Sequence, residues 1–267
     1  MIQELFRVPV LNFPISPFGV MLVAALLTAF WQLSREMRRL GIGTSDDASS
    51  ITVACGFWGI VGGKIYYAIL YGDWKLLFDR SGIVWYGCFL LGLVALLWTM
   101  KHRGLPFGKT FDATGPALAL GYGVGRVGCF LVGDDYGQPT DLPWGVVFKV
   151  GLPRTTAANL RDFGYDPPPG TPGDAWVAVH PTQLYETALA LIIWGLVLAF
   201  AKRRRLPGNT FLFAVALLAV ERFGIEFLRA KDDRFAALGG LTLAQVISLV
   251  VLAGVLVTAW RWRRRSG

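Results

Sequence analysis

Residues 182–205 read TQLYETALALIIWGLVLAFAKRRR. A run of about 20 predominantly apolar residues is the length that an α-helix needs to cross the hydrocarbon core of a bilayer. The apolar run ends at Lys202 and three arginines, and basic clusters of this kind favour the cytoplasmic side of a membrane. The segment therefore predicts a transmembrane helix that ends inside the cell.

The same pattern of long apolar runs recurs along the chain. Hydrophobic residues make up 54% of it and charged residues only 16%, where a soluble domain carries about a quarter. The mean hydropathy is +0.49. We place membrane spans at about 16–34, 50–71, 84–100, 111–132, 182–201, 209–228 and 241–260. This predicts an all-α polytopic membrane protein with about seven transmembrane helices, of which the fourth is the least regular because it is rich in glycine.

The lysines and arginines of the loops indicate the orientation of these helices. Four basic clusters fall on alternate loops, at 35–39, 101–109, 202–205 and 261–265, with 14 cations against three acidic residues. The other loops hold nine cations against 11 acidic residues. The positive-inside rule then predicts an amino terminus outside and a carboxy terminus in the cytoplasm. The net charge of +8 would also suit nucleic-acid binding, but clusters between apolar runs indicate membrane orientation, so we expect no nucleic-acid partner.

Residues 1–267 are predicted to form a single transmembrane domain with one insertion. The segment from about 134 to 181 is long, polar and rich in proline and glycine, and the charge pattern places it outside the cytoplasm. The three cysteines include no CxxC, and the two histidines lie far apart in sequence. These features argue against a disulfide framework and a zinc site, and we expect neither a metal nor a cofactor.

Charged residues within the predicted spans are the most informative feature for function. An ionisable side chain at the bilayer centre costs about 2.5–3.5 kcal/mol on insertion scales. The residues concerned are Lys64, Asp112, Arg126, Glu186, Glu221, Arg222 and Glu226. They either form ion pairs that lock helices together or line a polar cavity, and seven of them in one chain favour the cavity.

Three arginines are candidates for a ligand. Arg126 is predicted to lie in a glycine-rich turn, residues 123–128, which would let the backbone approach a ligand closely. Arg222 and Glu226 are four residues apart and can pair on one helical face, with Arg229 a turn beyond. Arginine binds phosphate bidentately and stays charged when desolvated. Because the abundant phosphate of a bilayer is a lipid headgroup, we expect a cavity for an anionic lipid that opens outward.

Three sequence blocks occur in one order: GRVGCF (125–130) continuing to GDDYG (133–137), HPTQLYE (180–186) and RFGIEFLR (222–229). GGKIYY (62–67) and the glycines from 82 to 92 precede them. This set resembles the signatures of the prolipoprotein diacylglyceryl transferase family, and the resemblance covers about residues 15 to 260. It implies a seven-helix, amino-out enzyme of the bacterial inner membrane with its active site towards the periplasm.

The resemblance also implies a reaction and a set of site residues. The diacylglyceryl group of phosphatidylglycerol would pass to the lipobox cysteine thiol of a prolipoprotein signal peptide, with release of glycerol phosphate. Arg126 and Arg222 would bind and stabilise the phosphate. His180 is either a proton acceptor or hydrogen-bond donor near the headgroup, or a residue that orders the helix that follows it. The remaining implied binding residues are Asp112, Cys129, Asp134, Gly137, Glu226 and Arg229.

The chain departs from the family pattern at several of these positions. The family often has histidine where this chain has Tyr86, which completes the candidate catalytic set although a tyrosine with a pKa of about 10 is a poorer base. Other departures are Phe18, Lys64, Cys129 and Leu218. Two alternatives therefore stay open: a phosphatidylglycerol-dependent transferase with another acceptor, and a non-catalytic lipid-binding or transport protein. For Cys129, a covalent role is the minor interpretation and space filling the default.

Overall fold

Long α-helices dominate the fold. The computed structural model describes residues 6–8, 13–78, 82, 84–151, 153–165, 169–203, 206–230, 234–235 and 239–265. Within them the α-helices are α1 (Pro17–Leu40), α2 (Ser45–Tyr71), α3 (Trp85–His102), α4 (Phe107–Val132), α5 (Ala157–Asp162), α6 (Thr182–Ala201), α7 (Asn209–Ile225) and α8 (Leu243–Arg265). A 3-10 helix covers Trp74–Leu77, β1 (Phe6–Val8) pairs with β2 (Phe13–Ile15), and β3 (Arg234–Phe235) pairs with β4 (Leu241–Thr242), both antiparallel. Each predicted span falls on one of the seven long helices.

Five helices in the described part of the chain are long and apolar enough to cross a membrane: α1, α2, α4, α6 and α8. The apolar part of α3, Tyr86–His102, is shorter, and α7 has 17 residues. The structure thus confirms a helical, polytopic membrane protein. The number of crossings and their direction stay predictions.

Helix α4 is central, because α1, α6 and α7 all pack against it. Its glycines make these contacts close. A Cβ added at Gly115 would lie 3.2 Å from Cβ of an alanine on α7, and one added at Gly121 would lie 3.2 Å from Cβ of an alanine on α1. A Cβ added at Gly123 would lie 3.1 Å from Cβ of Ala190 on α6. Small residues let membrane helices approach in this way. The glycine-rich span is therefore a packing surface within an unbroken helix.

One end of the bundle collects the loops that carry the basic clusters, and we call it the basic end. Arg103, after α3, pairs with Asp46 of α2 at 2.6 Å. Arg39 of α1 donates to the carbonyl of Ala201 at the end of α6 at 3.2 Å. These contacts agree with the alternation of basic loops in the sequence.

The opposite end carries the described residues between 134 and 181, which we call the head segment. It has its own apolar core, in which Tyr136, Phe148, Leu160 and Val179 are all at most 3% exposed. The phenol of Tyr136 and the ring of Phe148 stack with centroids 5.5 Å apart. Burial, with a smaller contribution from the charge of Asp134, raises the pKa of Tyr136 to about 12. The polar insertion of the sequence is thus a folded cap on the helices.

Candidate active site

Three arginines from different parts of the chain meet at one buried carboxylate near the head segment. Glu186, four residues into α6, is 1% exposed and forms an ion pair with Nη2 of Arg126 on α4. Its Oε1 lies 3.8 Å from Nη1 of Arg222 on α7 and 3.8 Å from Nη1 of Arg229. The Tyr122 hydroxyl donates to the same oxygen at 3.1 Å. Glu186 therefore fixes the positions of all three guanidinium groups.

Two further carboxylates complete the arginine cluster. Glu226, 3% exposed, pairs with Arg222 one turn earlier, with 2.8 Å between Oε2 and Nη2. Asp135 bridges two arginines: its Oδ2 lies 3.1 Å from Nη1 of Arg126, and its Oδ1 pairs with Nη2 of Arg229. The ion-paired groups are thus three cations and three anions. A balanced set of this kind lowers the cost of keeping charges out of water.

Three nitrogen atoms of the cluster make no hydrogen bond to the described residues. Nε of Arg126, Nη1 of Arg222 and Nε of Arg229 are buried there without a hydrogen-bond partner. The last two have only long ion-pair contacts of 3.8 Å, with Glu186 and Glu226. A buried donor without a partner costs free energy, so such groups commonly face a ligand. Arg222 has 31% of its side chain exposed, against 9% for Arg126 and 4% for Arg229. Access to the cluster is therefore from the side of Arg222.

Five of the predicted site residues are brought together here: Arg126, Cys129, Arg222, Glu226 and Arg229. The predicted pairing of Arg222 with Glu226 is confirmed. Cys129 lies a turn beyond Arg126 on α4, and Nη1 of Arg126 donates to its sulfur at 3.3 Å.

The predicted glycine-rich turn around Arg126 is wrong, because α4 continues as a helix to Val132. Backbone polar groups in a bilayer must be satisfied internally, which favours an unbroken helix. The chain turns only after Val132, at Gly133, which has φ 73° and caps the end of α4.

A carboxylate that the sequence did not select, Asp135, pairs with two of the arginines, and the role of its neighbour Asp134 stays a prediction. Asp135 has φ 61°, a left-handed conformation that aspartate tolerates better than most residues. Asp134 is exposed, and its carbonyl accepts from Nε2 of Gln183 at 2.6 Å. Gly133 and Asp135 both have left-handed backbone conformations, so the chain turns sharply where it leaves α4.

The prediction that Asp112 serves the same site is not supported by its position. Its carboxylate accepts from the backbone N–H groups of Gly208 at 2.7 Å and Phe211 at 3.0 Å. It therefore caps the start of α7 at the basic end. Fourteen residues of α4, about 21 Å at 1.5 Å per residue, separate it from Arg126.

Gly137 and His180 are neighbours, and Gly137 pairs with the backbone of Arg229, a member of the cluster. The Gly137 N–H donates to the His180 carbonyl at 2.8 Å, and Gly137 bridges Arg229 in antiparallel fashion. A Cβ on Gly137 would lie 2.6 Å from the Leu228 carbonyl oxygen and 2.7 Å from Cβ of His180. Gly137 thus holds the head segment against the chain that carries Arg229, a packing role that the sequence did not reveal.

The ring of His180 belongs to a hydrogen-bonded chain at the start of α6. Its Nδ1 lies 3.3 Å from the Tyr185 hydroxyl, which accepts from Nε1 of Trp144 at 2.7 Å. Tyr86 opens α3, where its ring centroid lies 6.4 Å from that of Tyr66 on α2. Of the other departures, Phe18 packs beside Gly128, Lys64 lies on α2, and Leu218 joins the apolar core of α4, α6 and α7.

Sequence reasoning missed three members of the cluster: Glu186, Asp135 and Tyr122. Glu186 was noted as a charge within a span but given no role, although its carboxylate forms ion pairs with all three arginines. Asp135 was passed over for its neighbour. No sequence signal distinguishes Tyr122 from other tyrosines in apolar segments.

Comparison with known proteins agrees with the blocks noted in the sequence. The family model described as prolipoprotein diacylglyceryl transferase matches residues 4–261. A protein of Vibrio vulnificus named phosphatidylglycerol–prolipoprotein diacylglyceryl transferase is 29% identical over 261 residues, which cover 92% of this chain and 87% of that protein. A protein of Vibrio cholerae serotype O1 with the same name is 30% identical over 262 residues, with the same coverage.

Proposed function

The chain belongs to the prolipoprotein diacylglyceryl transferase family, and from that premise we propose that it transfers a diacylglyceryl group from phosphatidylglycerol to the lipobox cysteine thiol of prolipoproteins. The observation that carries the proposal is the convergence of Arg126, Arg222 and Arg229 on Glu186. An array of desolvated guanidinium groups suits the phosphate of a lipid headgroup.

The proposed reaction makes one bond and breaks one. The thiolate sulfur attacks the glyceryl carbon that carries the phosphate, and a C–S thioether bond forms. The C–O bond to the phosphate breaks, and its electron pair leaves with the oxygen as glycerol phosphate. The thiol proton passes to a base, since the thiolate is the nucleophile. The negative charge on the phosphate increases during this step, so its electrostatic interaction with the arginines becomes stronger towards the transition state.

Arg126 and Arg222 are proposed to stabilise that growing negative charge. Groups held in place before reaction act most strongly in a site that excludes water. Glu186 and Glu226 position the two guanidinium groups, and Arg222, the most exposed of the arginines, receives the headgroup first. Arg229 lies behind them, where it adds charge and holds Asp135.

Two residues are proposed as acceptors of the thiol proton. His180 is held by Tyr185 through its Nδ1, which leaves Nε2 for a substrate group. Tyr86 lies on α3 beside Tyr66 of α2, and a phenol is a weaker base than an imidazole at neutral pH. The dependence of kcat on pH in His180→Gln and Tyr86→Phe variants separates them: loss of the acidic limb in one variant identifies the base.

The proposed membrane arrangement follows the charge pattern of the loops. Seven helices cross the inner membrane of a bacterium, with the amino terminus and the head segment on the periplasmic side. The arginine cluster lies within two turns of the helix ends that carry the head segment, where the headgroup of an outer-leaflet lipid lies. The chain then forms one transmembrane domain with the head segment as its insertion, and its partners are the bilayer, phosphatidylglycerol and the prolipoprotein signal peptide.

The test uses purified protein, phosphatidylglycerol and a synthetic lipobox peptide, with products read by mass spectrometry. We expect the diacylglyceryl peptide and glycerol phosphate in equal amounts, lost in Arg126→Ala. Arg103→Ala, which removes an arginine of the basic end, is the matched control and should retain activity. Glycerol phosphate without the peptide adduct would favour another acceptor, an alternative motivated by Cys129 and Tyr86. Lipid binding without either product would favour a non-catalytic protein.

A further inference from the structure

We propose that Asp135 sets how tightly the arginine cluster holds a phosphate, and that it promotes release of glycerol phosphate by re-forming its ion pairs with Arg126 and Arg229. The inference rests on the proposed function, because it concerns the product of that reaction. It assigns a role in phosphate affinity and product release to a residue that the sequence blocks did not single out.

The geometry of Asp135 is that of an internal substitute for phosphate. Its two carboxylate oxygens contact two different arginines, Arg126 at 3.1 Å and Arg229. Carboxylate and phosphate oxygens accept from the same N–H edges of a guanidinium group. A phosphate that binds Arg126 and Arg229 must therefore displace Asp135, and Asp135 competes with it for as long as it stays bound.

Asp135 differs from the other two carboxylates in how it is held. The side chains of Glu186 and Glu226 are 1% exposed, whereas that of Asp135 is 28% exposed. Glu186 is built into α6, but Asp135 follows the end of α4 on a loop. Rotation of the Asp135 side chain away from the arginines needs no change in any helix. Asp135 is thus the one carboxylate of the three that can leave and return.

The charge of the phosphate group changes during the reaction, and the return of Asp135 to the arginines would compensate for that change. With Asp135 turned away, three arginines and two glutamates carry a net charge of one positive unit, which matches the single negative charge of a phosphodiester. Breakage of the C–O bond turns the diester into a monoester that carries about −1.5 to −2 at neutral pH. Buried arginines would retain such a product tightly. Return of Asp135 to Arg126 and Arg229 neutralises the cluster and favours release.

The test is a titration of the full-length protein in detergent with glycerol phosphate, followed by calorimetry, for the wild type, Asp135→Asn and Asp135→Gly. Both substitutions remove the charge and suit the left-handed backbone at φ 61°, so at least one folded variant is expected. Asp141→Asn is the matched control, because it removes an exposed carboxylate from the same segment. We expect both Asp135 variants to bind glycerol phosphate at least about tenfold more tightly, and the control to bind as the wild type does.

Turnover provides the second measurement. In the Asp135 variants we expect a burst of one peptide adduct per enzyme, followed by a slower steady state that added glycerol phosphate inhibits further. Unchanged or weaker binding in both Asp135 variants, or no binding in any protein, would overturn the proposal. Tighter binding in a chain that makes no adduct would support the competition by Asp135 and refute the transfer reaction, so the two failures are distinguishable.

Discussion

Replacement of Glu186 by glutamine is the sharpest test of how the arginines are held. The substitution keeps the size of the side chain but removes the charge that faces Arg126, Arg222 and Arg229. The amide also presents donor N–H groups towards three guanidinium donors, so at least one contact becomes repulsive. The Tyr122 hydroxyl keeps an acceptor only if the amide oxygen stays on its side.

The expected loss of stability follows from the contacts that remain. Removal of one partner from a buried ion pair costs about 3–5 kcal/mol when the other charge is left alone. Here Asp135 still pairs with Arg126 and Arg229, and Glu226 still pairs with Arg222. We therefore expect about half of that cost, about 2 kcal/mol, seen as a fall in the midpoint of thermal unfolding in detergent.

The expected loss of activity is larger, because catalysis depends on where the arginines point. Loss of one preorganised donor to a developing negative charge costs about 10²–10³ in kcat. Glu186→Gln loosens the donors without removing them, so we expect kcat to fall by about 10- to 100-fold. The KM for phosphatidylglycerol should stay the same or fall, since the cluster gains one net positive charge. The assay is formation of peptide adduct at varied lipid concentration.

Glu36→Gln is the matched control. Glu36 is 2% exposed and pairs with an arginine, Arg39, but it lies at the basic end of α1. The control should lose comparable stability with kcat within about twofold of the wild type. A Glu186→Gln protein with unchanged kcat and a raised KM would refute the reasoning, because Glu186 would then contribute to lipid binding rather than to the placement of the arginines.

Three further substitutions test other parts of the structure. Gly137→Ala should cost about 1–3 kcal/mol of stability and most of the activity through overpacking, whereas Gly195→Ala, with open space around its Cβ, should do neither; thermal unfolding and the adduct assay check both. Asp112→Asn should destabilise the protein by about 1 kcal/mol through a weaker cap of α7 and leave the KM for phosphatidylglycerol unchanged, as measured by unfolding and kinetics. Cys129→Ser should retain adduct formation within about threefold, because the thiol only accepts a hydrogen bond from Arg126; complete loss of adduct would revive the covalent interpretation.

The sequence was sufficient for the helices and for part of the cluster. A helix of about 20 apolar residues matches the thickness of the hydrocarbon core of a bilayer, and each predicted span coincides with a helix of the structure. Arg222 and Glu226 were predicted to pair because helical periodicity brings residues four apart to one face. Both inferences use local rules, which hold whatever the rest of the chain does.

The sequence was insufficient where tertiary contacts decide. Asp134 and Asp135 are adjacent carboxylates, and the sequence does not show that Asp135 pairs with Arg229, which lies 94 residues further along the chain. Asp112 lies within a span, yet the packing of α4 against α7 gives it backbone N–H groups to accept from at the basic end. Glycine was read as a helix breaker near Arg126, whereas in this bundle it permits contact with α1, α6 and α7. In each case the competing partner lies far away in sequence.

The balance of charge in the arginine cluster explains why such a site can exist inside a membrane at all. Three unpaired arginines would bind a phosphate strongly, but the cost of burying them would destabilise the empty protein. Three carboxylates that were all fixed would make the empty protein stable but leave nothing for a phosphate to bind. Two fixed glutamates and one exchangeable aspartate satisfy both requirements: the empty cluster is neutral, and displacement of Asp135 supplies one positive charge where the lipid brings one negative charge. Stability of the empty site and affinity for the lipid are therefore set by different residues, which is why Glu186→Gln and Asp135→Asn are expected to change kcat for different reasons.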